Sequence, residues 1–194
     1  MLEEEYERSA QRLKPFHLRR MSAPEAAFAY EIRAATPRDL PDVREIYNHY
    51  VTNSMVTFDE DTMTLREWRA KYAYLAKQKM PFLVAVSPSQ QVLGYALCAP
   101  WRQKRAYRFT AESSIYLRPA STGKGLGSAL LAALLDAAKQ AGLKQLLAVI
   151  ADSGADASLR LHERLGYKEQ GRMGRVGFKF DRWIGTILLQ KAIR

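Results

Sequence analysis

The sequence predicts an α/β fold: a central mixed β-sheet flanked by helices. Two observations lead there. In the second half, apolar runs of strand length alternate with amphipathic helices, which implies parallel pairing. In the middle, strand-like runs follow one another directly, which implies antiparallel pairing. The resulting order is β-α-α-β-β-β-α-β-α-β, with room for an extra final strand.

Each element has its own signal. "YEIRAA" (30–35) alternates like a strand. "TPRDLPDVREIYNHYV" reads as a helix, with Thr36 as N-cap, Pro37 at the first helical position and a stripe of Leu40, Val43, Ile46, Tyr47 and Tyr50. "TNSMVTFDEDTM" is a loop. "TLREWRAKYAYLAKQ" is a second amphipathic helix, opened by a capping box of Thr64 and Glu67. "PFLVAVS" and "QVLGYALCAPW" are apolar strands joined by the turn "PSQ". A basic loop, "QKRAYR", leads to the long strand "FTAESSIYLR". Gly123 to Ala141 reads as a helix closed by Gly142, "LKQLLAVIA" as a buried strand, and "DASLRLHERLG" as a helix closed by Gly166. Strand-like runs from Tyr167 onward finish the chain.

With 194 residues the chain suits one domain with an appendage. Residues 1–29, charged and then Ala-rich, read as an N-terminal extension, partly helical or disordered; residues 30–194 read as the folded domain. The net charge of +10 favours anionic partners. The basic residues are scattered rather than gathered with aromatics, which argues against nucleic acid. Cys98 is the only cysteine, so neither an internal disulfide nor a cysteine zinc site is expected, and no metal is expected at all. The acidic start is no signal peptide and no apolar run matches a membrane span, so a cytoplasmic protein is expected.

"STGKGLGSALL" is the segment that carries chemistry. A helix N-terminus exposes unpaired N–H groups and a partial positive charge, and glycines before it let a phosphate approach the backbone. Gly123, Gly125 and Gly127 fit that need, with Lys124 as an added charge. The spacing is not that of a Walker loop. A dinucleotide fingerprint fails too, since Ser128 and Leu130 stand where its last glycine is required. Two readings stay open on the loop alone: a phosphate cradle, or a turn that lets the helix pack closely on the sheet. In "TAESSIYL", Glu112 shares a strand face with Ser114 and Tyr116, while Ser113, Ile115 and Leu117 take the other. A carboxylate there is either a solvated edge residue or a functional one.

The pattern R/Q-x-x-G-x-G/A, after a strand and opening a helix, resembles that of the GNAT superfamily of acetyltransferases. Gly125 and Gly127 supply its glycines, and Thr122 stands where Arg or Gln is usual. "IRAATPRDLPDVREIYNHYV", "VTFDE", "AYRFTAESSIYLRPASTGKGLGSALL", "LRLHERLGY" and "VGFKFDRWIGTILLQ" together resemble the phosphinothricin acetyltransferase group, over Tyr30 to about Gln190.

The resemblance implies a GNAT acyltransferase fold and an acetyl-CoA-dependent N-acetyltransferase. Its implied acceptor is a small amino-acid-like amine such as phosphinothricin or a methionine sulfoximine or sulfone, and it implies a homodimer. An amine must lose a proton before it attacks, and the developing oxyanion needs preset donors. The resemblance places the base at Glu112 and a general acid or site-lining residue at His162. It places the pantetheine arm along Ile115, Tyr116 and Leu117, with an oxyanion donor near Ile115. The pyrophosphate falls on Gly123, Lys124, Gly125, Leu126, Gly127 and Ser128. The acceptor pocket falls near Phe58, Arg102, Tyr107 and Arg108, with Arg105, Trp101 and Phe109 close by and Lys179 and Phe180 at a pocket edge or subunit contact. Any one of these arginines is equally readable as part of a solvated basic loop. Ala155 replaces a usual Asn three residues before Ser158, so two cofactor contacts are thinned. A protein or peptide amine acetyltransferase and a non-catalytic acetyl-CoA-binding module remain as alternatives.

Overall fold

A computed structural model describes residues 28–193. The extension expected over residues 1–29 lies, up to residue 27, outside the described residues. The element order is β1 (Glu31–Ala34), α1 (Leu40–Asn53), α2 (Leu65–Lys77), β2 (Phe82–Val86), β3 (Val92–Pro100), β4 (Thr110–Leu117), α3 (Leu126–Gln140), β5 (Gln145–Ala151), α4 (Asp156–Arg164), β6 (Lys168–Lys179) and β7 (Arg182–Ala192). The strands form one seven-stranded sheet in the order β1-β2-β3-β4-β5-β7-β6.

The middle strands pair antiparallel and β4 pairs parallel with β5, as the alternation predicts. The last connection differs from expectation. β6 is not the parallel neighbour of β5, because β7 inserts between them and pairs antiparallel with both. The final runs form a hairpin whose two-residue turn, Phe180–Asp181, has φ of 50° and 56°. Two left-handed residues match the twist of a tight hairpin, although neither is glycine.

Strand alternation divides the core. Val92, Tyr95 and Leu97 of β3 face α1 and α2, where they meet Leu40, Ile46, Tyr47, Trp68 and Leu75. Leu93, Ala96 and Cys98 face α3, where they meet Leu126, Leu130 and Leu134. Truncating one of these leucines to alanine costs about 2–5 kcal/mol. The capping box of α2 is present, with Glu67 N–H donating to Thr64 Oγ1 at 3.3 Å and Thr64 N–H to Glu67 Oε2 at 2.7 Å. Gly142 and Gly166 close α3 and α4 at φ of 80° and 84°. In each, a 6→1 bond (Leu143 to Ala138, Tyr167 to His162) completes a Schellman end. No helix among the described residues is long and apolar enough to cross a membrane.

Candidate active site

β4 and β5 pair only over Thr110–Glu112 and Gln145–Leu147. β4 stays on β3 as far as Leu117, and β5 stays on β7 as far as Ala151. Beyond Glu112 the two parallel strands therefore part. The bonds Trp101 N–H to Thr110 O (3.3 Å) and Arg118 N–H to Leu93 O (2.7 Å) set the parity of the β3–β4 ladder. Even-numbered residues of β4 bond β3, so the main-chain groups of Ser113, Ile115 and Leu117 face the gap. Leu117 O is taken by the Tyr50 hydroxyl at 2.7 Å. Tyr116 differs from its expected role along the pantetheine arm. Its main chain turns to β3, and its ring packs against Tyr47, Tyr50 and Tyr95.

The glycine segment leads from β4 into α3. Gly123 and Gly125 take φ of 75° and 79°, so α3 starts at Leu126, three residues later than predicted. No atom lies within 4 Å of where a Cβ would stand on either glycine, so the approach to the helix N-terminus is clear. Gly127 serves packing instead: a Cβ there would meet Leu161 at 3.3 Å and Leu117 at 3.5 Å. Ser128 N–H is already bonded to Gly125 O at 3.1 Å, leaving the amides of Leu126 and Gly127 at the open end. Leu126 is fully buried and offers only main chain. Lys124 Nζ sits 4.7 Å from the Phe28 ring centre. Thr122 turns its hydroxyl back onto Pro119 O at 2.8 Å, away from any role of the Arg or Gln it replaces. Ala155 is the N-cap of α4, has no capping side chain, and is buried in the core. The free strand edge, the left-handed glycines and the open amides fit an extended chain ending in a pyrophosphate.

Glu112 lies half-buried where β4 and β5 begin to part. Burial raises its pKa, while Lys71 and Arg102 pull the other way. On the same face stands a polar cluster supplied by the loop after α1. The Tyr47 hydroxyl lies 3.1 Å from Thr57 Oγ1 and donates to Asp59. That loop is anchored from the far hairpin: Lys179, 3% exposed, donates to Ser54 O at 3.0 Å and Thr57 O at 2.9 Å. Gly177 makes room for the Phe58 ring, since a Cβ there would fall 2.5 Å from two ring carbons.

The basic loop is less uniform than its sequence. Arg102 stacks on Trp101 at 4.8 Å and lies within electrostatic reach of Glu112. Arg108 instead stacks on Phe109 at 4.4 Å and donates to Arg105 O, and Tyr107 stands exposed on the same turn. Arg102, Tyr107 and Arg108 are all exposed, and of them only Arg102 lies within electrostatic reach of Glu112.

His162 is 2% exposed. Its Nδ1 lies 2.8 Å from Ser158 O, a carbonyl that only accepts, so Nδ1 carries the proton. Nε2 is buried without a partner, and burial lowers the pKa. The ring packs edge-on to Tyr167, whose hydroxyl meets Ser113 Oγ at 3.0 Å. His162, expected as a general acid or a site-lining residue, is thus a buried imidazole whose Nδ1 faces a carbonyl of its own helix.

Sequence reasoning missed Lys71. It shares the stripe Trp68, Lys71, Tyr72, Leu75 on the buried side of α2, and a lysine at core spacing is the signal that marks it. Asp59 and Thr57 were within a quoted motif but had no role. Among the described residues no group of three His, Cys, Asp or Glu is arranged to hold a metal.

A family profile described as "Acetyltransferase (GNAT) domain" matches residues 32–188. A phosphinothricin N-acetyltransferase of Alcaligenes faecalis is 38% identical over 168 residues, covering 87% of this chain and 85% of its own. An L-methionine sulfoximine/L-methionine sulfone acetyltransferase of Pseudomonas paraeruginosa is 41% identical over 159 residues, covering 82% and 92%. A phosphinothricin acetyltransferase of Sinorhizobium meliloti, solved in complex with acetyl-CoA, superposes with a TM-score of 0.81 at 36% identity, covering 84% of this chain and 88% of its own.

Proposed function

The chain belongs to the GNAT acetyltransferase family and is an acetyl-CoA-dependent N-acetyltransferase; on that premise we propose that its acceptor is the amine of a small amino acid of the phosphinothricin or methionine sulfoximine type. The observation that carries this reading is the half-buried carboxylate at the fork of β4 and β5, with Lys71 and Arg102 within electrostatic reach of it.

The cofactor supplies an activated acetyl thioester. The main chain of Ser113, Ile115 and Leu117 would run along its arm, and the amides of Leu126 and Gly127 would hold its pyrophosphate. Glu112 takes the proton from the acceptor ammonium, directly or through water; its raised pKa keeps it basic enough for that task near neutral pH. The Ile115 N–H donates to the oxygen on which negative charge develops. The C–S bond breaks with the sulfur leaving as the thiolate, and no residue is assigned to protonate it. Arg102 orients the acceptor's carboxylate.

We further infer a homodimer through the β6–β7 hairpin. Val176, Phe178, Phe180 and Trp183 stand about half-exposed on its outer end, and Phe178 and Trp183 pack edge to face at 5.4 Å. An apolar group of this size on a soluble chain favours a second copy. Light scattering of the wild type and of Trp183→Ser tests it: a dimer that dissociates on substitution is expected, and a monomeric wild type overturns it.

Thiol release from acetyl-CoA over a panel of free amino acids and peptides, with mass analysis of the products, tests the acceptor. Acetylation of phosphinothricin or methionine sulfone at the α-amine is expected. Turnover of peptides alone supports a peptide acceptor, and cofactor binding with no turnover on any amine supports a non-catalytic module.

A further inference from the structure

Lys71 has no use in the chemistry above, yet it occupies a costly position. Its Nζ lies 5.0 Å from the Trp68 ring centre and 6.0 Å from that of Tyr47. Among the described residues no carboxylate comes within 4.0 Å of it. Asp59, the obvious partner, accepts instead from the Tyr47 hydroxyl. Tyr47 in turn packs edge-on against Tyr116 at 5.3 Å, and Tyr116 lies four residues beyond Glu112 on the same face of the strand. The ammonium thus lies against a wall of aromatic rings on the face of β4 that carries Glu112.

Burial lowers the pKa of Lys71, with Asp59 and Glu112 opposing. Cation–π contact offsets part of that cost, and an anion supplied from outside would offset more. A second cation, Arg102, comes from a different element, the loop after β3, and Glu112 feels both. One base flanked by two cations complements an amine that carries two anionic groups.

We propose that Lys71 is a specificity-determining residue which, with Arg102, selects acceptors bearing two anionic groups beside the amine: α-amino acids with a phosphinate or carboxylate side chain. This rests on the reading of the acceptor as a small amino acid. Lys71 takes the side-chain anion and Arg102 the α-carboxylate. An acceptor with a neutral side chain leaves the Lys71 ammonium unpaired in a largely buried place, which penalises it.

The test compares kcat/KM at saturating acetyl-CoA for phosphinothricin, which has two anionic groups, and methionine sulfone, which has one. The wild type prefers phosphinothricin. Lys71→Met lowers its kcat/KM roughly 10- to 100-fold, the worth of a charge-assisted hydrogen bond, through KM rather than kcat. Methionine sulfone is unchanged or improves, because the penalty of an unpaired ammonium is removed, and Lys71→Arg restores the preference. Lys71→Gln replaces Lys71→Met should the latter not fold. Equal losses on both acceptors, or a wild type that does not distinguish them, overturn the inference and leave the acceptor reading standing. A wild type that consumes neither overturns that reading, and the inference with it.

Discussion

The ammonium of Lys179 donates to the carbonyl of Thr57 at 2.9 Å, tying the far hairpin to the loop that borders Glu112. Lys179→Met leaves two carbonyls, those of Ser54 and Thr57, without a donor. The expected cost is about 1–3 kcal/mol, or about 2–10 °C in Tm. Because the loop carries Thr57, Phe58 and Asp59, the acceptor KM rises while acetyl-CoA affinity holds. Calorimetry and steady-state kinetics check both; equal damage to both ligands would place Lys179 outside the acceptor site.

Burial holds the pKa of His162 below the ordinary value of about 6.5. A depressed folded pKa means the unfolded chain binds the proton first. The stabilising contribution is therefore full above about pH 6.5 and is lost as pH falls through the folded value. His162→Phe, which keeps the edge-on contact with Tyr167, removes that acid-side loss in denaturant titrations. It keeps most acetyl transfer, since no proton is drawn from this ring. A loss of turnover matching that of Glu112→Gln would restore His162 as an acid.

Thr122 stands exposed at the mouth of the glycine turn with its hydroxyl bonded to Pro119 O. Thr122→Arg places a fork of donors where an anionic pyrophosphate is expected. Titration calorimetry should then give tighter acetyl-CoA binding, by roughly tenfold for a charge-assisted bond. Unchanged affinity would mean that the amides of Leu126 and Gly127 do the holding without side-chain help.

Much of the fold was legible because it is written in local patterns. Helical stripes, the Thr64–Glu67 box and the terminal glycines of α3 and α4 act over a few residues and read directly. The placing of β7 between β5 and β6 was not legible, since pairing depends on contacts far apart in sequence. The late start of α3 follows from the left-handed backbone at Gly123 and Gly125, where helical content had been assumed. At the site, the sequence singles out Glu112 and Arg102, because a carboxylate inside a strand and an arginine beside an aromatic are unusual. Lys71 was missed because a lysine in an amphipathic helix is read as solvent-facing. The bond from the His162 ring to its own helix is not revealed by spacing alone.

Glu112 is the proposed base, and burial raises its pKa. A base works only when deprotonated, so turnover falls as pH drops through the folded value, above the ordinary carboxylate value of about 4.3. The same shift costs stability: the contribution of this group is full below the unfolded value and lost as pH rises through the folded one. Glu112→Gln is therefore no less stable than the wild type at neutral pH, and thermal melts from pH 4 to 8 check it.

Turnover of acetyl-CoA and phosphinothricin by Glu112→Gln, measured beside its calorimetric affinity for acetyl-CoA, tests the account most directly. Turnover is expected to fall about 100- to 10,000-fold, with affinity for acetyl-CoA unchanged. Wild-type turnover by this variant across the pH range would show that Glu112 is not the base.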